Sequence, residues 1–188
     1  MWAIIFVNLY VIRKINVYLQ TINFLSEKKM KAKEIRISYC SVDIGELDKD
    51  LQRLVEEAKH QTDSAYCPYS NFSVGAAVLL DNGVVVGGNN QENIAYPSGL
   101  CAERTAMFYA NSQYPDHKPT VIAIAAKNGG QFLDKPICPC GGCRQALLEA
   151  ELRYKSPIRV ILYGTQDTLV IESIADMLPF AFVSFDYS

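Results

Sequence analysis

The 188-residue chain has one tryptophan and two histidines. His60 and His117 stand isolated among polar residues and read as solvated side chains, so imidazole is not the expected metal ligand. No apolar run approaches the roughly 20 residues that a membrane-spanning helix needs. Met1 to Ile12 is apolar apart from Asn8, but Arg13-Lys14 ends it. That segment also lacks the basic start and small-residue cleavage site of a secretory leader. Positive charge is scarce where a polyanion would need it: residues 42–188 carry 11 Lys+Arg against 18 Asp+Glu, a net of −7. Phosphate neutralisation by Lys and Arg supplies most nonspecific nucleic-acid affinity, so a small substrate is expected, with no nucleic acid and no membrane as partner. A disulfide framework is missing too. Four of the six cysteines crowd between positions 101 and 143, which favours a reducing, cytoplasmic compartment.

What is present is enough for one substantial core. At 49% hydrophobic, the chain reads as a single catalytic domain over 42–188, preceded by an extension, 1–41, with a net charge of +5. Met30 is read as the natural start, with 1–29 as upstream translation or an unfolded extension. The basic cluster from Lys28 to Arg36 reads as a solvated lead-in.

Along the body, ELDKDLQRLVEEAKHQ (46–61) places Leu47, Leu51, Leu54, Val55 and Ala58 on one stripe, which predicts an amphipathic helix. TDSAYCPYSN (62–71) is turn-rich and reads as a loop. Phe72 to Leu80 and Val84 to Asn89 flank Asp81-Asn82-Gly83, a hairpin signature. After a loop over 90–99, a helix is expected over about 101–111 and a doubly buried strand over 120–127. A second helix follows over about 141–153, then strands at 158–163 and 168–171 and a short helix at 173–177. There is no internal repeat and no low-complexity linker. The order α-β-β-α-β-α-β-β-α predicts an α/β fold, one mixed sheet with helices on both faces.

The chemistry concentrates in Cys101-Ala102-Glu103-Arg104 and in Pro139-Cys140-Gly141-Gly142-Cys143-Arg144. Both stretches open predicted helices, where free N–H groups and the helix dipole favour thiolates. Cys140 and Cys143 are three apart, so one helical turn puts both sulfurs on one side. Cys101 and Glu103 are two apart and would diverge in a regular helix, which puts Cys101 at or before the cap. A structural zinc takes four protein ligands, whereas a catalytic one takes three and keeps a position for water. Zn²⁺ on Cys101, Cys140 and Cys143, one ion per subunit, leaves that position open. Glu103 stands beside the ligands as the proton carrier. Cys-x-Glu with Pro-Cys-x-x-Cys is the signature of zinc nucleobase deaminases. The expected reaction is hydrolytic removal of an exocyclic amine. Three thiolates leave the site near −1 and oppose acidification of water; Arg104 or Arg144, donating to sulfur, can offset that charge. A Cys-x-x-Cys alone also occurs in redox pairs and zinc ribbons, and Cys138 as a fourth ligand would make the site structural. Cys40 and Cys67 read as small buried or loop hydrophobes.

From about Leu47 to Phe182 the chain resembles the small homotetrameric cytidine deaminases with three cysteine ligands. The likeness covers Ala65-Tyr66-Cys67-Pro68-Tyr69-Ser70-Asn71-Phe72-Ser73-Val74-Gly75-Ala76-Ala77, with Cys67 where alanine is usual. It extends to Asn90-Gln91-Glu92-Asn93 with Tyr96, to both cysteine motifs through Ala106 and Gln145, and to Leu178-Pro179-Phe180-Ala181-Phe182. The resemblance implies a three-layer α/β/α sandwich around a five-stranded mixed sheet. It implies deamination of cytidine and deoxycytidine in pyrimidine salvage, with Asn90 and Glu92 holding the sugar and Phe72 packing on the pyrimidine. Ala102 would border the substrate. Phe182 and Tyr96 would reach a neighbouring subunit's pocket in a homotetramer with shared sites. Arg104 would neutralise thiolate, and Gln145 would stand behind the ligands.

Overall fold

A computed structural model describes residues 32–184. The expectations for Met30 as the start and for residues 1–29 lie outside them. The chain divides into two compact units, Met1–Arg36 and Ile37–Ser188. In the first, the described residues include an exposed Arg36–Glu34 ion pair at 3.3 Å. The second holds every element below.

Strand β1 (Cys40–Val42) precedes a 3-10 turn (Ile44–Glu46) and helix α1 (Lys49–Gln61). Hairpin strands β2 (Phe72–Leu80) and β3 (Val85–Asn89) follow, then helix α2 (Ala102–Gln113), strand β4 (Pro119–Asn128) and strand β5 (Gln131–Phe132). Helix α3 (Gly141–Tyr154) and strands β6 (Arg159–Leu162) and β7 (Thr168–Ile171) complete the set, before a 3-10 turn at Ile174–Met177. The sheet runs β1-β7-β6-β4-β2-β3, with β5 on β4; β4 and β6 are parallel and the other pairs antiparallel.

Seven strands correct the expected five. The two additions are three and two residues long, too short to display a hydrophobic period. β1 is an edge strand whose Cys40 is exposed, so Cys40 is not the small buried or loop residue expected. β5 follows a turn made by Gly129 and Gly130, both at positive φ (58° and 84°), where a side chain would be strained. β1 also straddles the 41/42 boundary read from composition, Cys40 pairing with Val170.

The three layers follow from alternation along β4. Val121, Ala123 and Ala125 face α1, and Ile122 and Ile124 face α2 and α3. α1 begins at Lys49 and not at 46, because the Asp48 side chain accepts from the Asp50 and Leu51 amides at 3.1 and 2.9 Å and caps it there. Its Leu51, Leu54, Val55 and Ala58 are buried against the sheet. Each large side chain there contributes about 1.5–3 kcal/mol; Leu54→Ala, at 1% exposure, would cost about 2–5 kcal/mol.

On the other face α2 lies unusually close to β3. A Cβ at Gly88 would stand 2.5 Å from the Ala106 backbone nitrogen. Only glycine admits that approach, which brings the N-terminal half of α2 down onto the sheet at Ala106.

Candidate active site

Two helix N-termini build the site. Cys101 is the N-cap of α2 (φ −74°, ψ 152°) and Cys140 the N-cap of α3 (φ −65°, ψ 166°). Both are extended at that position, so Cys101 and Glu103 do not diverge as they would inside a helix. Neither sulfur is spent on capping its own helix. Cys143 sits one turn into α3 and is fully buried.

The Sγ atoms of Cys101, Cys140 and Cys143 all lie within 4.8 Å of one another, and those of Cys140 and Cys143 are 3.5 Å apart. Tetrahedral zinc with Zn–S of about 2.3 Å places sulfurs about 3.8 Å apart, so this donor set fits the ion with small adjustment. Cys138 is exposed and stands outside the group, which removes the reading of a fourth thiolate closing the site. The Cys143 thiol donates toward Cys101 and, against the opposing effect of burial and with help from Arg104, brings Cys101 down to about 5. The same hydrogen bond, followed by burial, pushes Cys143 up.

Glu103 is 4% exposed. Burial pushes its carboxyl above the usual range, with the Cys101 thiolate adding to the effect and Arg104 opposing it. A carboxyl held nearer neutrality suits proton transfer.

The two candidate arginines separate clearly. Arg104 Nη2 donates to Cys101 Sγ at 3.8 Å, and its Nε is buried without a partner. Arg144 is committed elsewhere: Nε donates to the Pro139 carbonyl at 2.8 Å and Nη1 to that of Met177 at 2.9 Å. Gln145 donates to the Phe182 carbonyl at 2.8 Å and so braces the C-terminal segment.

The remaining expected residues fall into two groups. Asn90 and Glu92 are both hydrogen-bonded to the stretch that carries Phe72: Asn90 Nδ2 donates to the Phe72 carbonyl at 2.9 Å, and Glu92 Oε2 accepts from the Tyr69 amide at 3.0 Å. Ala102 is buried at the start of α2. Tyr96 and Phe182 are not gathered into the site: they are 76% and 52% exposed, Tyr96 lying 6.4 Å from the Tyr69 ring. His117 is not simply solvated, since its Nδ1 lies 3.0 Å from Asp81 Oδ1.

Three supporting residues escaped sequence reasoning. Glu151 accepts from the amides of Ile158 and Ile174 at 3.0 Å each and from Ser173 Oγ at 2.6 Å, fixing the end of α3; partners so distant in sequence leave no local signal. Ser70 joins Tyr69 in holding Glu92. Gly88 did leave a trace, since paired glycines inside a strand pattern signal a close approach.

An open three-thiolate site with a buried carboxylate, at paired helix N-termini behind a mixed sheet, defines the class as zinc-dependent hydrolases of the α/β/α type. Residues 48–156 match the family described as the cytidine and deoxycytidylate deaminase zinc-binding region. Among curated proteins, the cytidine deaminase of Halalkalibacterium halodurans is 38% identical over 137 residues, 73% of this chain and 97% of that protein. The cytidine deaminase of Sporosarcina psychrophila is 36% identical, covering 74% and 96%. Among solved structures, the cytidine deaminase of Burkholderia pseudomallei is similar at a TM-score of 0.59 and 40% identity, covering 69% of this chain and 97% of that one. That of Mycobacterium tuberculosis matches at 0.55 and 34%, covering 73% and 100%. The chain belongs to the cytidine and deoxycytidylate deaminase family.

Proposed function

We propose that this protein deaminates cytidine and deoxycytidine hydrolytically, giving uridine and deoxyuridine with release of ammonia. The observation that carries the reading is the convergence of three cysteine sulfurs within 4.8 Å beside a carboxyl that is 4% exposed. Cys101, Cys140 and Cys143 hold one Zn²⁺ per subunit. Bound there, the ion supplies Lewis acidity that makes water a nucleophile near neutral pH.

The chain's own residues do the rest. Glu103 takes a proton from the attacking water and delivers it to the ring nitrogen beside the reacting carbon. The C–O bond forms first; Glu103 then takes the second water-derived proton from the new hydroxyl and passes it to the exocyclic nitrogen, and the C–N bond breaks as ammonia leaves and the carbonyl forms. The raised pKa of Glu103 lets one group serve both directions of transfer. Arg104, against the Cys101 sulfur, offsets negative charge that would otherwise oppose acidification of water. Asn90 and Glu92 take the sugar, Phe72 packs on the pyrimidine, and Ala102 borders the base. Gln145 acts from behind by bracing the segment that carries Phe182.

Residues 42–188 form the catalytic domain of this reading, and a homotetramer with shared active sites is part of it. What supports association is the exposure of five large aromatics, Tyr96, Phe108, Tyr109, Phe180 and Phe182, each between 48% and 94% exposed. A role in pyrimidine salvage in the cytoplasm completes the proposal. Among the described residues no helix is long and apolar enough to cross a membrane.

The test is a steady-state ultraviolet assay on purified protein with cytidine and deoxycytidine, before and after chelation. Chelator-sensitive loss of substrate absorbance, restored by zinc, is the expected result. Zinc-replete protein of the correct mass that leaves cytidine untouched would overturn the proposal.

A further inference from the structure

The stretch from Tyr66 leads out of α1 and into β2 at Phe72, with little regular structure of its own before that residue. It is held from outside by two residues, Asn90 and Glu92. The Tyr66 amide donates to the Asn90 carbonyl at 3.0 Å, and the Glu92 amide donates to the Tyr66 carbonyl at 2.8 Å. Glu92 Oε2 then accepts from the amides of Tyr69 at 3.0 Å and Ser70 at 3.3 Å. The Ser70 side chain and the Tyr69 amide hold the Glu92 carboxyl below its ordinary range.

Asn90 works one step further along. The β2–β3 ladder ends with Gly75 opposite Asn89. Beyond it, the Asn90 side chain behaves as an extra peptide group: Oδ1 accepts from the Val74 amide at 2.7 Å, and Nδ2 donates to the Phe72 carbonyl at 2.9 Å. The Asn90 backbone amide adds a bond to the Val74 carbonyl at 3.1 Å. A side-chain amide carries the same donor and acceptor as a backbone peptide, so it can prolong a ladder where the strand itself has turned away.

We infer that Asn90 and Glu92 are positioning residues as well as sugar ligands, clasping the 66–72 loop and so fixing where Phe72 stands against the base. This rests on the nucleoside site proposed above. If the pair served the sugar alone, their loss would matter only for substrates carrying the hydroxyls they bind. As a clasp, they matter for every substrate that Phe72 touches.

The experiment uses the full-length zinc-loaded protein with cytidine and with 2′,3′-dideoxycytidine, which lacks the 2′ and 3′ hydroxyls. Asn90→Ala should lower kcat/KM about tenfold on dideoxycytidine, through positioning alone, and further on cytidine, which also loses its sugar contact. In a Phe72→Ala background the same substitution should cost less than about twofold on dideoxycytidine, because a residue acting through Phe72 has nothing left to position. Hydrogen exchange provides an arm independent of turnover. The Val74 amide in Asn90→Ala, and those of Tyr69 and Ser70 in Glu92→Ala, should exchange at least about tenfold faster, with Ile122 and Ile124 in β4 unchanged. A loss confined to cytidine, an undiminished loss in the Phe72→Ala background, or unaltered exchange at Val74 would each overturn the inference. Turnover of cytidine by the unsubstituted protein reports separately on the proposed function, while the exchange arm still reads the clasp.

Discussion

Gly88→Ala tests the claim that the site depends on how closely α2 approaches the sheet. The added methyl would lie 2.5 Å from the Ala106 nitrogen, 2.8 Å from its Cα and 2.9 Å from its Cβ. Comfortable separations are about 3.5–4.0 Å, so α2 must retreat by roughly 1 Å. No side chain can rotate out of the way, because the contacts are backbone and a Cβ stub. Overpacking of this kind costs about 1–3 kcal/mol. Reduced freedom of the unfolded chain returns about 0.4–1 kcal/mol, leaving a net loss near 1–2 kcal/mol. For a protein of this size that lowers Tm by about 2–8 °C. The effect on turnover should be larger than the effect on stability. Ala106 lies one turn beyond Glu103 on the helix capped by Cys101, and a misplacement of about 1 Å can cost about 100-fold. Steady-state kinetics and thermal melts on zinc-replete protein read both, with Gly45→Ala as the neutral control, since no atom lies within 4 Å of a Cβ there. Gly88→Ala protein with wild-type kcat/KM and an unchanged Tm would refute the argument that this contact positions the catalytic turn.

Glu103→Gln removes the carboxyl proposed to carry protons while keeping its shape, so kcat should fall at least about 1000-fold with zinc content near one per chain; loss of the metal would contradict that role. Arg104→Gln should lower kcat about 10–100-fold, as expected when a group supporting a metal ligand is lost. Arg144→Gln, whose parent side chain contacts carbonyls and not sulfur, should chiefly lower Tm; equal kinetic defects in the two variants would refute the division of labour. Because Ser70 and Tyr69 hold the Glu92 carboxyl low, its ionised form persists as pH falls through the ordinary carboxylate range near 4.3 and is lost only below it. KM for cytidine should therefore stay flat from about pH 8 to about pH 5, and a rise of tenfold across that interval would count against the assignment.

Much of the architecture was legible because periodicity is strong where an element is long and packs on one side. The stripe Leu51, Leu54, Val55, Ala58 announces α1, and the unbroken run around Ile122 to Ala126 announces a strand with helices on both faces. Boundaries were set by competition that no stripe records: Asp48 caps α1 three residues late. β1 and β5 escaped because two or three residues carry no period, and their pairing is decided by the neighbouring strands β7 and β4. At the site, one-turn spacing foretold the Cys140–Cys143 pair, but the choice between Arg104 and Arg144 needed coordinates. Spacing alone places each arginine directly after a motif; only the fold sends one to sulfur and the other to the Pro139 and Met177 carbonyls. The commitment of Asn90 to the Phe72 carbonyl was likewise invisible, since it joins positions 18 apart across the open end of the β2–β3 hairpin.

Helix α3 touches two ends of the molecule's business at once. Its first turn presents two sulfurs, while Arg144, Gln145 and Glu151 grip the stretch from Ser173 to Phe182. One helix thus joins the cysteine pair to the C-terminal stretch through its own side chains. A substitution that shifts α3 should therefore disturb the cysteine geometry and the 173–182 stretch together.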